Sequence, residues 1–183
     1  STKTGSLVHE LQKERGLSAG FLGSDGKRFG AKLDSQREQT DEKAAVLRRF
    51  LQDFPADRYA PAVGRNLQAV RDRLADLEAR RRAVSAQEIA TGKAVAWYTA
   101  LNANLLDVVA TALRQTKDGP TTRDVGAYYY FLEGKERAGI ERAILASAFA
   151  NDRFGPGEFR RFASLVAKQQ VYRFTDEALD QAV

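Results

Sequence analysis

The spacing of apolar side chains constrains this chain most, because it is helical almost from end to end. Apolar residues recur three and four positions apart, most regularly at Val63, Leu67, Val70, Leu74 and Leu77. Such a row lies along one face of an α-helix and is typical of bundles and coiled coils. No segment alternates apolar and polar residues with period two, so the pattern predicts no strands. The sequence therefore predicts an all-α fold, an antiparallel up-and-down helical bundle.

Glycine, proline and small polar residues divide the chain into six predicted helices. The sequence Ser85-Ala-Gln-Glu88 matches a capping box and predicts the start of the fourth helix. The chain of 183 residues is long enough for one helical domain or for two stacked bundles. The predicted helices cover about residues 1–23, 30–54, 61–84, 85–117, 122–150 and a segment that follows Gly155-Pro-Gly157.

The side-chain inventory excludes several classes of chemistry. Cysteine is absent, which excludes disulfides, thiolate zinc sites and a cysteine nucleophile. The single histidine, His9, leaves no histidine metal cluster and no Ser-His-Asp arrangement, and we predict it to be a surface residue. No nucleophile–base pair or phosphate loop is visible in the sequence. We therefore predict that the protein is not an enzyme and uses no metal or cofactor.

The charge pattern predicts a solvated surface rather than a nucleic-acid interface. The formal net charge is +5, and the strongest basic cluster is Arg80-Arg81-Arg82. No interleaved aromatic residues or docking motif accompany it, so we predict no nucleic-acid binding by this domain. No run of about 18 apolar residues spans a membrane. The absence of an initiator methionine and of cysteine suggests a periplasmic piece cut from a longer protein.

Two predicted helices place arginine where their own pattern asks for an apolar side chain. In the first, Arg15 and Glu14 fall inside the apolar arc at about 100° per residue. A buried guanidinium costs several kcal/mol unless it is paired and hydrogen-bonded. Two helices that each carry one predict an interior anion site. The first arc comprises Leu7, Leu11, Ser18, Phe21 and Leu22.

The second such helix is the fifth. Arg137 and Glu141 lie near the middle of its predicted apolar face, and Arg142 lies at the margin. The alternative explanation is structural. The arginines would then form ion pairs with Glu14, Glu136 or Glu141, or bury their aliphatic stems while the guanidinium groups stay in solvent. The predicted face comprises Tyr130, Phe131, Ala138, Ile140, Ile144, Leu145 and Ala148.

The two arginine segments resemble the signature blocks of the nitrate- and nitrite-sensing (NIT) domain family. The blocks are Glu10-Leu-Gln-Lys-Glu-Arg-Gly-Leu-Ser-Ala-Gly-Phe-Leu22 and Lys135-Glu-Arg-Ala-Gly-Ile-Glu-Arg-Ala-Ile-Leu145, in that order along the chain. The resemblance covers about Leu7 to Gln170 and implies an all-helical sensor of a bacterial signalling protein; we assign residues 1–183 to one such ligand-sensing domain. It also implies that arginines of the blocks bind nitrate or nitrite: Arg15 and Arg137, with Arg142 as a weaker candidate.

The resemblance allows two contexts, and we expect a periplasmic domain of an inner-membrane receptor such as a chemoreceptor, with a cytoplasmic regulator as the alternative. The expected partners are nitrate or nitrite, a second copy through the long helices, and a membrane-anchored parent protein.

Nitrate is planar, and a guanidinium fork meets its oxygens with two parallel hydrogen bonds. Ser18 would add a hydroxyl, the carboxylates of Glu14, Glu136 and Glu141 would orient the arginines, and the anion would draw helices one and five together. Two alternatives stay open. One is a helical dimerisation module in which the arginines form structural pairs and the row from Val63 to Leu77 joins two copies. The other is a sensor of a different small anion.

Overall fold

The computed structural model describes residues 2–55, 61–115, 119–150 and 152–167. These residues contain no strand, and the predicted all-α fold is confirmed. A further helical segment covers residues 158–167. The five helices that precede it are α1 (Thr2–Gly23), α2 (Gly30–Gln52), α3 (Pro61–Ser85), α4 (Thr91–Gln115) and α5 (Gly119–Ala150).

Helix α1 is the central element and packs against α2, α4 and α5. It is buried around most of its circumference, and Leu7, Val8 and Leu11 are fully enclosed. Small residues allow the neighbouring helices to come close; a side chain at Gly5, for example, would collide with the Tyr128 ring. A helix enclosed on several sides carries apolar or paired side chains all round. This position explains why Glu14 and Arg15 of α1 are shielded from solvent.

The helices alternate in direction, as the up-and-down prediction requires. Helix α4 runs opposite to α1, because Val95 lies beside Ala19 while Thr99 contacts Arg15. Helix α5 runs parallel to α1, because residue numbers increase together along the two helices. Gly5 lies near Tyr128, Gln12 contacts Glu136, and Ala19 lies beside Ala143. Helices α3 and α4 form an antiparallel pair on the far side of the core. The site described below lies at mid-height, where α1, α4 and α5 meet.

The apolar row of α3 packs inside the domain. Val63 is 6% exposed and Leu77 is 1% exposed, and the row belongs to one core with residues of α1, α2, α4 and α5. The row ends at Arg81 and Val84, which continue the same spacing by four and three. These side chains are covered within one copy of the chain. The suggestion that this row joins two copies is therefore wrong.

The predicted capping box at Ser85–Glu88 is also wrong, because these residues end α3 instead of starting α4. Gln87 has a left-handed φ of 56°. The Glu88 amide donates to Ala83 O at 2.9 Å, and the Gln87 amide donates to Val84 O at 3.0 Å. This pair of bonds is a Schellman cap, which satisfies the last carbonyls of a helix.

Helix α5 is rotated relative to its predicted face. Tyr130 and Phe131 are 47% and 61% exposed, so their predicted place in the core is wrong. The buried row instead begins at Leu132, continues one turn later at Glu136 and reaches Ile140. Aromatic bulk alone favoured the wrong side, whereas the structure buries the side that carries a carboxylate opposite Arg15. The rotation places Glu136 inside the protein and Arg137 at the edge of the interface.

Candidate anion site

The Arg15 guanidinium is completely buried, and two helices contribute its partners. From α4, the Thr99 hydroxyl oxygen accepts a hydrogen bond from Arg15 Nη1 at 2.9 Å. From α5, Glu136 Oε1 accepts a short charge-assisted bond from the same Nη1. Glu136 Oε2 lies 3.4 Å from Arg15 Nη2, which is a weak contact. The arginine thus links three helices through one charged group.

Two amide side chains hold the Glu136 carboxylate independently of Arg15. Gln12 Nε2 and Asn102 Nδ2 each donate to Glu136 Oε2 at 2.9 Å. Asn102 is fully enclosed and Gln12 is 3% exposed, so water does not compete for these bonds. The two carboxylate oxygens therefore differ, since Oε2 receives both amides whereas Oε1 receives only Arg15. Glu136 is thus held from both α1 and α4.

Gly139 of α5 provides the space that the Arg15 head group occupies. A β-carbon at this position would lie 2.6 Å from Arg15 Nη2 and 3.4 Å from Gln12 Cγ. Glycine inside a helix costs about 1 kcal/mol relative to alanine. Here the cost has a structural reason, because only glycine lets the guanidinium lie against the α5 backbone.

The Arg15 head group offers more hydrogen-bond donors than its surroundings accept. A guanidinium carries five N–H donors in a fixed fork. Within the described part of the chain, no acceptor reaches the buried Arg15 Nε, and Nη2 has only its 3.4 Å contact. Nε and Nη2 present parallel N–H groups along one edge of the guanidinium. That edge matches the spacing of two oxygens of a planar oxyanion.

A second buried ion pair lies on a neighbouring face of α1. Arg81 of α3 donates to the fully buried Glu14 carboxylate through Nε at 2.8 Å and Nη2 at 3.0 Å. The Tyr98 hydroxyl donates to Glu14 Oε1 at 2.8 Å, and Arg81 Nη1 also donates to Asp41 at 2.7 Å. Burial and the Glu14 charge raise the pKa of Tyr98, which keeps its hydroxyl a donor. Burial alone would lower the pKa of Arg81, but the bonds and charges of Glu14 and Asp41 outweigh it and raise that pKa.

The structure gathers four of the predicted site residues in the interior. Arg15, Glu14, Glu136 and Ser18 are all buried, and Ser18 lies beside the Tyr98 hydroxyl. These residues occupy about one turn of α1 and the facing turn of α5. They do not form one shared cluster, because Arg15 pairs with Glu136 whereas Glu14 pairs with Arg81.

The other three predicted residues lie on the outer part of α5. Arg137 is half-buried, and its Nη2 lies 3.3 Å from Glu133 of the same helix. Glu141 is also half-buried, and burial raises its pKa. Arg142 is exposed and contributes to a positive region with Lys135, whose pKa is lowered by burial and then by Arg142. The structure does not bring these three side chains to the Arg15 guanidinium.

His9 belongs to the same positive region and differs from its predicted surface role. It is half-buried, and its Nδ1 is enclosed without a hydrogen-bond partner among the described residues. Burial lowers its pKa, and Lys135 lowers it further. The residue is therefore favoured in its neutral form.

Sequence reasoning missed the residues that complete the two pairs. Their buried positions follow the helical row of each element, and the α3 row placed Arg81 inside by the same spacing as Leu74 and Leu77. Extending that row by one turn separates buried Arg81 from its half-buried neighbour Arg80. Polar residues on apolar rows were the available signal for the others. The missed residues are Gln12, Asp41, Arg81, Tyr98, Thr99 and Asn102.

Comparison with known proteins gives one consistent result. The profile of the family described as nitrate and nitrite sensing matches residues 6–183. The nitrate regulatory protein of Klebsiella oxytoca is 30% identical over 177 residues, which cover 96% of this chain and 44% of that protein. The solved structure of the NasR transcription antiterminator has a TM-score of 0.90 and 29% identity, covering 97% of this chain and 48% of that one. The chain thus spans less than half the length of these relatives, which are named as regulators and not as enzymes.

These relatives overturn the expected receptor context. A nitrate regulatory protein and a transcription antiterminator are not membrane receptors, so the predicted periplasmic location and membrane-anchored parent are wrong. The exclusion of nucleic acid from the list of partners is wrong as well, since an antiterminator acts on transcription. Among the described residues, no helix is both long and apolar enough to cross a membrane.

Proposed function

The chain belongs to the nitrate and nitrite sensing family, and from that membership we propose that it binds nitrate or nitrite as the sensor domain of a bacterial regulatory protein. The cytoplasmic alternative fits a regulator of transcription, and we adopt it here. The output function lies in the portion of such a protein that this chain does not span. The 48% coverage of the antiterminator chain leaves ample length for it.

The observation that carries this proposal is the buried Arg15 guanidinium with an unmatched donor edge. Nitrate and nitrite are small, singly charged and planar, and two of their oxygens can accept parallel bonds from Nε and Nη2. The Thr99 hydroxyl accepts a hydrogen bond from Nη1 on the other side and so helps to fix the plane of the fork. An arginine whose orientation is set in advance loses little entropy on binding.

Several of the remaining predicted residues have supporting roles in this proposal. Ser18 adds a hydroxyl one turn after Arg15, and Arg137 supplies a second guanidinium from α5, with Arg142 as the weaker candidate. Glu136 holds Arg15 in place. Glu14 instead pairs with Arg81, and within the described part of the chain Glu141 makes no contact with Arg15, so these two glutamates are not part of the proposed site. A shift of α5 relative to α1 is needed to bring Arg137 to the anion, and this shift is the signal. Coupling of about 1–3 kcal/mol between anion binding and such a shift is typical of allosteric proteins.

The direct test is isothermal titration of the purified chain with nitrate and nitrite, with chloride and sulfate as controls. We expect saturable binding at one site. Arg15→Lys should abolish it, because an ammonium group offers a point charge in place of a fork. Arg81→Lys is the matched control, since Arg81 is equally buried and paired but lies against a neighbouring face of α1. Wild-type affinity in folded Arg15→Lys protein would refute the assignment.

A structural role for the arginines is the second candidate, and one observation favours it. Both fully buried arginines already have a carboxylate partner, Glu136 for Arg15 and Glu14 for Arg81. A domain that uses these pairs only for packing would give no heat with nitrate and no thermal stabilisation. A competition series with other small oxyanions and organic acids tests the remaining alternative, a sensor of a different anion.

A further inference from the structure

The Glu136 carboxylate occupies part of the hydrogen-bonding capacity that the proposed ligand needs. A carboxylate and nitrate share the geometry that a guanidinium recognises, two oxygens in one plane. Within the described part of the chain, Glu136 is the only charged residue that contacts the Arg15 head group. The pair is therefore neutral, and an anion that joins it before Arg137 is brought close adds a negative charge next to Glu136.

We propose that Glu136 is an internal competitor of the anion, which holds Arg15 until nitrate or nitrite displaces its carboxylate. This inference rests on the proposed function and adds how affinity at that site is set. Attraction from Arg15 draws the ligand in, and the Glu136 charge opposes it in a water-excluded environment where like charges repel strongly. The competitor lowers the affinity of the site and ties anion binding to a change at α5.

The hydrogen bonds of Glu136 allow this displacement without unpairing the whole side chain. Oε1 is bound only by Arg15 Nη1, while Oε2 is held by the amides of Gln12 and Asn102. Losing the weak 3.4 Å contact between Oε2 and Nη2 frees the donor edge that the anion needs, and Oε1 can leave Nη1 while Oε2 keeps both amide bonds. Arg15 Nη1 keeps its bond to the Thr99 hydroxyl during the same change. Ligand exchange at Arg15 therefore leaves few buried polar groups unmatched.

The geometry also identifies the helix that is released. Arg15 and Gln12 of α1, together with Asn102 of α4, bind α5 through this one carboxylate. The Glu14–Arg81 pair ties α1 to α3 and does not involve Glu136. Displacing Glu136 from Arg15 removes one of these three links between α5 and the other helices, while the Glu14–Arg81 pair keeps α1 and α3 joined.

Glu136→Gln tests the proposal because it removes the charge and keeps the size of the side chain. We expect nitrate to bind the full chain carrying Glu136→Gln at least tenfold more tightly than it binds wild type. Nitrate should also raise the melting temperature of this variant by more than it raises that of wild type. The matched control is Glu14→Gln, which removes an equally buried carboxylate from the neighbouring residue of α1. Its effect on nitrate affinity should be clearly smaller, since Glu14 does not bind Arg15. An equal gain in both variants would show a general charge effect and overturn the proposal.

Nitrate binding by wild type and by Glu136→Gln distinguishes failure of this inference from failure of the proposed function. If wild type binds nitrate and Glu136→Gln binds it equally or more weakly, Glu136 is not a competitor and the proposed function stands. If neither protein binds nitrate or nitrite, the proposed function falls together with this inference. Should Glu136→Gln fail to fold alone, recovery of its helical circular dichroism by nitrate, and not by chloride, supports the proposal. Glu136→Asp, which retracts the charge from Arg15, should then also bind nitrate more tightly; wild-type affinity in that variant overturns the proposal.

Discussion

Gly139→Ala places one methyl group against the Arg15 guanidinium and so tests how much the buried pair depends on that close approach. The new β-carbon would lie 2.6 Å from Arg15 Nη2, closer than side chains tolerate, and Gln12 limits movement on the other side. Arg15 is fully enclosed and must leave its bond to Glu136 to make room. Two opposing contributions then decide the stability of the variant.

The favourable contribution is helix propensity, which is worth about 1 kcal/mol for alanine over glycine in a helix interior. The unfavourable one is the loss of a buried ion pair with one charge left unmatched, which costs about 3–5 kcal/mol. Partial relaxation of Arg15 reduces that loss, so we expect Gly139→Ala to lower the free energy of unfolding by about 2 kcal/mol. Gly134→Ala is the matched control on the same helix, because nothing lies within 4 Å of its added carbon. It should raise stability by up to about 1 kcal/mol.

Urea unfolding followed by circular dichroism measures both variants on one scale. About 1 kcal/mol corresponds to 2–4 °C in melting temperature for a chain of this size, so the two should differ by several degrees. The two substitutions are chemically identical, and the expected sign of their effect is opposite. If Gly139→Ala is as stable as Gly134→Ala, the guanidinium moves at no cost and the reasoning about Gly139 is wrong.

Two further predictions concern the second ion pair and the only histidine. Arg81→Ala should lower the free energy of unfolding by about 3–5 kcal/mol, because it leaves the buried Glu14 charge unmatched. In the same denaturation assay, Arg80→Ala should cost less than about 1 kcal/mol, because its ion pair is half-exposed. Equal losses in the two variants would contradict the difference in burial. His9 has a pKa below its ordinary 6.5 in the folded protein, so the unfolded state takes up a proton first and stability falls as the pH drops below about 6.5. Melting temperatures between about pH 7.5 and 5 should fall less steeply for His9→Gln than for wild type, and identical slopes would show that His9 does not contribute.

The helical bundle could be predicted because its elements repeat one simple pattern. The α3 row from Val63 to Leu77 is periodic enough to give the element, its buried face and its packing. Helix ends were less secure, because Ser85–Glu88 has the composition of an N-terminal cap and the backbone of a C-terminal one. A side chain pattern alone does not distinguish the two when either would satisfy local hydrogen bonds.

The candidate site was predictable from α1 and much less so from its partners. Arg15 and Glu14 stand out because their helix is otherwise apolar at those positions, and both are fully buried. The partner of Arg15 depends on the rotation of α5, and exposed Tyr130 and Phe131 indicated the wrong face. Pairing between helices is a tertiary property, and one sequence gives no direct information about which charges meet across an interface.

The adjacency of Glu14 and Arg15 fixes the rotational phase of α1. Consecutive helical residues point about 100° apart, so the negative charge reaches Arg81 of α3 while the positive charge reaches Glu136 of α5. Rolling α1 by one residue would turn an arginine towards Arg81 or a glutamate towards Glu136, and like charges would then meet in the core. The two ion pairs therefore fix the rotation of α1 about its own axis. The motions that remain compatible with both pairs are sliding or separation of the neighbouring helices.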